Sequence, residues 1–103
     1  MNPLELIAEN IKKKNLNKAL ELCKLNENSN NKSIIYNFIG VIHFMKKNLA
    51  EAENFFLKVI EIDDKFQDPI RNLCVIYAIT KKFKELLNYS TKLYYLDSKN
   101  PLN

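Results

Sequence analysis

Apolar residues recur along this chain at intervals of three and four, with polar residues between them. That spacing places the apolar side chains on one face of an α-helix. Short polar breaks divide the pattern into six segments, and the longest break, NENSNNKS (26–33), has the Asn and Ser content of a loop. The pattern predicts six amphipathic helices, near residues 3–14, 17–27, 33–46, 49–62, 69–81 and 84–96. We therefore expect an all-α fold with no β-strand.

Three of the predicted helices carry sequence signals in their first turn. Asn2-Pro3 and Asp68-Pro69 each pair a capping side chain with a proline suited to the first helical position. Asn48 followed by Glu51 resembles a capping box, in which two side chains satisfy backbone N–H groups reciprocally. These signals support the starts of the first, fourth and fifth helices.

The chain also contains an internal repeat. When position 33 is placed on position 67, the two segments that follow align without a gap. When position 13 is placed on position 46, KKNLNKA (13–19) aligns on KKNLAEA (46–52). Identical pairs in the first of these alignments are Val41 and Val75, Ile42 and Ile76, Lys47 and Lys81, Glu51 and Glu85, Asn54 and Asn88, and Lys58 and Lys92. The pattern indicates one array, 1–103, of three helix–turn–helix repeats at about 1–32, 33–66 and 67–100.

A helical hairpin with this period resembles the tetratricopeptide repeat (TPR), whose repeat unit has the same length. The resemblance covers essentially the whole chain and is strongest in the second repeat. The residues that match the family pattern there are Tyr36, Ile39, Gly40 and His43 in the first helix and Ala52, Phe56 and Val59 in the second. The resemblance implies three stacked TPR hairpins that form a short right-handed α-solenoid.

Gly40 is the only glycine, and it lies inside a predicted helix, where a glycine costs about 1 kcal/mol relative to alanine. In the TPR family, the middle of the first helix lies close against the second helix of its own hairpin. The resemblance therefore implies that the missing side chain makes room for a large neighbour such as Phe56. In the third repeat the small residue Cys74 occupies the equivalent position.

Candidate catalytic and metal-binding residues are few. The chain has one histidine, His43, and two cysteines, Cys23 and Cys74, whose places on apolar stripes are typical of small buried hydrophobes. No glycine-rich phosphate loop, metal-ligand spacing or nucleophile beside a base is present. We expect no catalytic site, no metal and no cofactor. Since the N-terminus lacks a signal-peptide pattern and no apolar run approaches the ~18 residues of a membrane span, we expect a soluble, cytoplasmic protein without membrane contact.

The formal net charge is +4, and the lysines are clustered. Groups at 12–14, at 46–47 and at 81, 82 and 84 fall at the predicted turn of each repeat. One interpretation is that these cations stabilise the ends of the first helices, by about 0.3–1 kcal/mol each. The other is a basic ridge that binds an acidic partner or nucleic acid. Arg71 is the only arginine, which disfavours nucleic acid.

In TPR arrays the first helices line a concave face, and partners usually bind there. The resemblance places in this groove Ile34, Asn37, Val41, Phe44, Met45, Arg71, Val75 and Ile79. Most are apolar, so they either pack against neighbouring helices or form a groove for a peptide. We expect the groove, and not the lysine ridge, to carry recognition. The leading hypothesis is a non-catalytic protein–protein interaction module that binds a peptide or an amphipathic helix.

Two other hypotheses stand beside it. The chain resembles TPR arrays that precede glycosyltransferase or sulfotransferase domains, so one hypothesis is the N-terminal part of a larger enzyme. The other is a self-associating scaffold, because the last predicted helix carries Leu86, Tyr89, Leu93 and Tyr94 without a predicted cover. The segment NPLN (100–103) resembles the opening of a further unit at Pro101. We expect a second copy or a following helix to cover this surface.

Overall fold

The computed structural model describes residues 1–97, and α-helices account for most of them. The helices are α1 (Pro3–Lys12), α2 (Leu16–Leu25), α3 (Lys32–Met45), α4 (Leu49–Ile62), α5 (Gln67–Ile79) and α6 (Phe83–Leu96). No β-strand occurs among these residues, so the all-α prediction is confirmed. Each helix begins and ends within two residues of its predicted limits. The end of the predicted third repeat and the predicted unit at Pro101 lie outside the described residues.

Helices that follow one another in the sequence pack against each other. The most extensive contacts join α3 with α4 and α5 with α6, and α1 packs on α2. Contacts of α2 with α3 and of α4 with α5 connect these three helix pairs. In addition, α1 contacts α3 and α3 contacts α5, so the first helices of the pairs lie side by side.

Two buried apolar clusters hold the helix pairs together. The first consists of Ile7, Ala19, Cys23, Ile35, Ile39 and Ile42, and the second of Ala52, Phe56, Leu73, Ile76 and Tyr77. Burial of each large apolar side chain contributes roughly 1.5–3 kcal/mol. Cys23 is fully buried, which raises the pKa of its thiol to about 12, with a smaller contribution from the charge of Glu27. Cys74 is only half-buried, so the predicted burial holds fully for Cys23 alone.

The turns inside the three helix pairs share one backbone conformation. Lys14, Lys47 and Lys81 have φ of 64°, 65° and 60°, and they are the only residues with positive φ within residues 1–97. The N–H of the residue after each lysine donates to a carbonyl five positions earlier, which closes the helix in a Schellman motif. The pairs are Asn15 with Asn10, Asn48 with His43 and Lys82 with Tyr77, at 2.8, 2.8 and 2.9 Å. The repeat seen in the sequence is therefore a repeat of backbone geometry.

Replacement of Lys47 by glycine is expected to stabilise the protein. A residue with a Cβ pays roughly 1–2 kcal/mol in the left-handed region, and glycine does not. The greater freedom of glycine in the unfolded chain offsets part of this gain, so we expect about 0.5–1 kcal/mol in urea unfolding. Lys18→Gly, at an exposed position inside α2, is the matched control and should lose about 1 kcal/mol. A loss of stability in Lys47→Gly would contradict the left-handed turn.

Only one of the three predicted helix-start signals acts as predicted. The Asn2 side chain accepts a hydrogen bond from the Glu5 N–H at 2.9 Å, with Pro3 at the first helical position. The cap predicted at Asp68 is wrong, because α5 begins at Gln67 and Pro69 is its third residue. A proline is tolerated there since the first four N–H groups of a helix lack helical partners.

The capping box predicted at Asn48 and Glu51 is also wrong. The Asn48 side chain makes no capping hydrogen bond to α4 and instead lies 3.5 Å from His43 Nδ1. Its backbone N–H, which the box would need, already donates to the His43 carbonyl. The end of α3 therefore uses the groups that a capping box at the start of α4 would require.

Gly40 lies directly against the ring of Phe56, as the resemblance implied. A Cβ placed on Gly40 would be 2.5 Å from Cε1 and 2.7 Å from Cδ1 of this ring. Both residues are buried, and Phe56 is among the largest fully buried side chains. The glycine thus allows α3 and α4 to approach with a phenyl ring between their backbones.

In the first pair, the positions that align with Gly40 and Phe56 hold Ile7 in α1 and Cys23 in α2. Both are fully buried in the first cluster. The large and small residues have exchanged helices, which keeps their combined size similar. In the third pair both positions are small, with Cys74 half-buried and Ser90 exposed. This pair has no large residue at either place, and α6 contains no fully buried residue.

Candidate functional site

An open apolar pocket lies where the turns at Lys14 and Lys47 meet the end of α5. Its volume is about 590 Å³, which is within the range of about 300–1,000 Å³ typical of ligand pockets. We call it the turn pocket, and its lining residues are Lys14, Leu16, Phe44, Met45, Lys47, Leu49 and Ile79. Five of the seven side chains are apolar, and the two others are lysines.

The repeated turn explains why these residues meet. Phe44 and Met45 are in the last turn of α3, and Ile79 is the last residue of α5. Leu16 and Leu49 are the first residues of α2 and α4. Since helix ends of neighbouring pairs lie at one edge of the molecule, all three pairs contribute to a single pocket. Met45 and Ile79 are 36% and 55% exposed, so the apolar surface is open to a partner.

Several lysines near this edge are engaged by the protein itself. Lys13 Nζ lies 3.4 Å from Glu9 Oε1, and Lys82 Nζ lies 3.9 Å from Glu53 Oε1. Lys46 Nζ donates to Asn17 Oδ1 at 2.6 Å and so links the second pair to the first. The two lysines of the turn pocket form no ion pair with any of the residues that the structure describes. Their charges are therefore available to a ligand.

The turn at Lys81, between α5 and α6, is held by a polar contact between α4 and α5. Tyr77 Oη donates to Glu53 Oε2 at 2.8 Å, and the same carboxylate lies near Lys82. Burial, and then the hydrogen bond to Glu53, raise the pKa of the Tyr77 hydroxyl above its ordinary value. This contact joins α4 to α5 beside the second apolar cluster and so holds the end of α5, with Ile79, in place.

Three of the eight residues predicted for the groove line the turn pocket, namely Phe44, Met45 and Ile79. Ile34 and Val41 are half-buried, and Val41 packs on the second cluster. Val75 is exposed one turn before Ile79 but does not line the pocket. Arg71 is exposed, and its guanidinium donates hydrogen bonds to Asp68 Oδ1 at 3.0 Å and to Gln67 Oε1 at 2.8 Å. The predicted groove residues therefore lie partly in the turn pocket and partly elsewhere in the molecule.

Asn37, the remaining predicted groove residue, is only 8% exposed. Its carbonyl Oδ1 is buried and has no hydrogen-bond partner within residues 1–97. A buried acceptor without a partner costs about 1–3 kcal/mol. Asn37 is therefore a site where the sequence places a polar group at the expense of stability.

We expect Asn37→Leu to raise the free energy of unfolding by about 1 kcal/mol, because an apolar side chain of similar size removes the unpaired acceptor. Urea unfolding followed by circular dichroism measures this. Asn54→Leu, at an exposed position of α4, is the matched control and should leave stability nearly unchanged. If Asn37→Leu destabilises the protein, the Asn37 carbonyl has a stabilising partner after all.

Four residues of the turn pocket did not belong to the predicted groove. They are Lys14, Leu16, Lys47 and Leu49. The signal was present in the sequence, because KKNL occurs at 13–16 and again at 46–49, one repeat apart. On the sequence alone, the lysines formed a ridge separate from the groove. The left-handed turn is what brings the lysines and the apolar residues to one pocket.

His43 packs within the second helix pair. Its ring stacks on Phe55 with centroids 5.8 Å apart and an angle of 15° between the planes. Within residues 1–97 no group of three or more His, Cys, Asp or Glu side chains is arranged to hold a metal ion. None of the helices in that range is both long and apolar enough to cross a membrane. The chain matches no protein-family model, and no curated protein matches it.

Proposed function

We propose that the three helix pairs are stacked TPR hairpins of a short right-handed α-solenoid, and that the chain is a non-catalytic module that binds a peptide or an amphipathic helix. The fold part is supported by the three equivalent turns and by the side-by-side contacts of α1, α3 and α5. The close approach at Gly40 and Phe56 adds to this support.

The turn pocket is the observation that carries the binding proposal. Exposed apolar surface that is contiguous and concave is typical of interaction sites on soluble proteins. Here it is built from helix ends and turns whose backbone is fixed by the Schellman motif, so little ordering is needed when a partner binds. An apolar side chain of a bound peptide would contact Phe44, Met45 and Ile79 together.

Selection from a displayed library of short random peptides tests the proposal. The immobilised full chain is the bait, and the recovered peptides are labelled and titrated by fluorescence anisotropy. We expect recovered peptides with large apolar residues that bind in a saturable way. Failure to enrich any peptide above the bare matrix would contradict the proposed function.

A second candidate function is self-association through α6. This helix has no fully buried residue, and Phe83 and Leu87 are 64% and 69% exposed. Sedimentation of the wild-type chain over a range of concentrations should then show a dimer, and Leu87→Glu should abolish it. A wild-type monomer at the highest concentration would contradict this candidate.

A further inference from the structure

The two charged side chains of the turn pocket are both cationic. Lys14 and Lys47 line it, and no aspartate or glutamate does. Each lies in the equivalent turn of its own helix pair, and both side chains border the same pocket. A ligand that fits this pocket must therefore place apolar groups inside it and tolerate, or use, positive charge at the rim.

The choice of lysine at these turns is costly. Glycine and asparagine are the residues that adopt the left-handed conformation most readily at a helix C-terminus. This chain has a lysine at all three turns, with φ between 60° and 65°. Strained conformations of this kind occur preferentially where the side chain has a function. A positive charge at this place is the property that glycine and asparagine lack.

Three neighbouring lysines differ from this pair because their side chains have a partner within the protein. Lys13 and Lys82 have carboxylate partners, and Lys46 bonds Asn17. Lys14 and Lys47 have no carboxylate partner in the part of the chain that the structure describes. Two lysines without a carboxylate partner among the described residues therefore line the open apolar pocket.

We propose that the peptide bound in the turn pocket is acidic: it inserts a large apolar side chain between Phe44, Met45 and Ile79 and pairs flanking Asp or Glu carboxylates with Lys14 and Lys47. This inference rests on the proposed function and specifies the chemistry of its partner. The lysine ridge and the groove, which the sequence presents as rival sites, are then two parts of one site. Apolar contacts supply most of the affinity, and the lysines select the charge of the partner.

Paired substitutions test the charge requirement without loss of the fold. Lys14→Gly with Lys47→Gly removes both charges and relieves the left-handed strain, so the variant should be at least as stable as the wild type. Lys24→Gln with Lys65→Gln removes two charges at exposed positions that do not line the pocket. The probes are the peptides recovered from the random library, together with copies in which every Asp and Glu is replaced by Asn and Gln.

We expect the recovered peptides to be enriched in Asp and Glu beside large apolar residues. The Lys14→Gly, Lys47→Gly variant should bind them about tenfold more weakly, since exposed ion pairs are each worth a few-fold. The amide copies should lose a similar factor on the wild type, and added salt should weaken binding of the acidic peptides. The Lys24→Gln, Lys65→Gln control should bind within about twofold of the wild type.

Peptides that bind the pocket without acidic residues, or that bind the lysine variant as tightly as the wild type, would overturn the charge requirement and leave the proposed function standing. If no peptide is enriched at all, the proposed function fails first. Binding to a single-stranded RNA homopolymer or to vesicles of anionic phospholipid with the same lysine dependence, and tighter than to any peptide, would also overturn the inference.

Discussion

Gly40→Ala is expected to destabilise the protein by about 2 kcal/mol or more, although alanine is the better helix former by about 1 kcal/mol. The added Cβ would lie 2.5 Å from Phe56 Cε1. Because Phe56 is fully buried, its ring cannot move into solvent, and α3 must separate from α4. For a domain of this size, about 2 kcal/mol corresponds to a fall of about 8–16 °C in Tm.

A double-mutant cycle separates overpacking from other effects. Phe56→Leu alone leaves a cavity and should itself cost stability. In Gly40→Ala with Phe56→Leu the added methyl group occupies part of that cavity, so the double variant should lose less than the sum of the single losses. The first helix pair supports this expectation, since Ile7 and Cys23 show the same exchange of large and small residues. Additive losses, or an unchanged Tm in Gly40→Ala, would contradict the close approach.

Ile79→Glu is expected to weaken peptide binding at the turn pocket at least about 30-fold, which corresponds to loss of about 2 kcal/mol at an interface hot spot. Ile79 is 55% exposed, so the fold should tolerate the change. The new carboxylate would occupy the apolar interior and lie close to the position of the partner's own acidic groups.

Ile62→Glu is the matched control for this substitution. Ile62 is 51% exposed, is the last residue of α4 as Ile79 is of α5, and does not line the pocket. It exchanges an exposed aliphatic residue for the same acid and changes the net charge equally. Anisotropy titrations of one recovered peptide against both variants give the comparison. Equal loss of affinity in the two variants would place the binding site elsewhere or reflect net charge alone.

The sequence predicted the helices well because the apolar residues on one face of a helix recur at intervals of three and four, and because the repeat aligned without a gap. The position of Gly40 against Phe56 was also predicted, because the resemblance to the TPR family implied a close approach of the two helices at this glycine. The helix starts at Asn48 and Asp68 were predicted less well. At Asn48, a motif that closes α3 had already used the backbone group that a capping box requires.

The candidate site was predicted only in part. Phe44, Met45 and Ile79 follow from the resemblance and the helix period. Lys14 and Lys47 were visible as repeated lysines, but their place in the pocket depends on a left-handed backbone conformation. The residue types do not indicate that conformation, because glycine or asparagine is its usual signal. The sequence also did not predict the burial of Asn37, since a polar residue on a helix face is normally exposed.

The binding site can be located directly by methyl NMR of the chain during titration with one recovered acidic peptide. Leu16, Met45, Leu49 and Ile79 all carry methyl groups and all line the turn pocket. We predict that their signals shift together and saturate at one equivalent of peptide, while those of Leu25 and Leu87 stay in place. Shifts confined to α6, or spread evenly over the molecule, would contradict a binding site in the turn pocket.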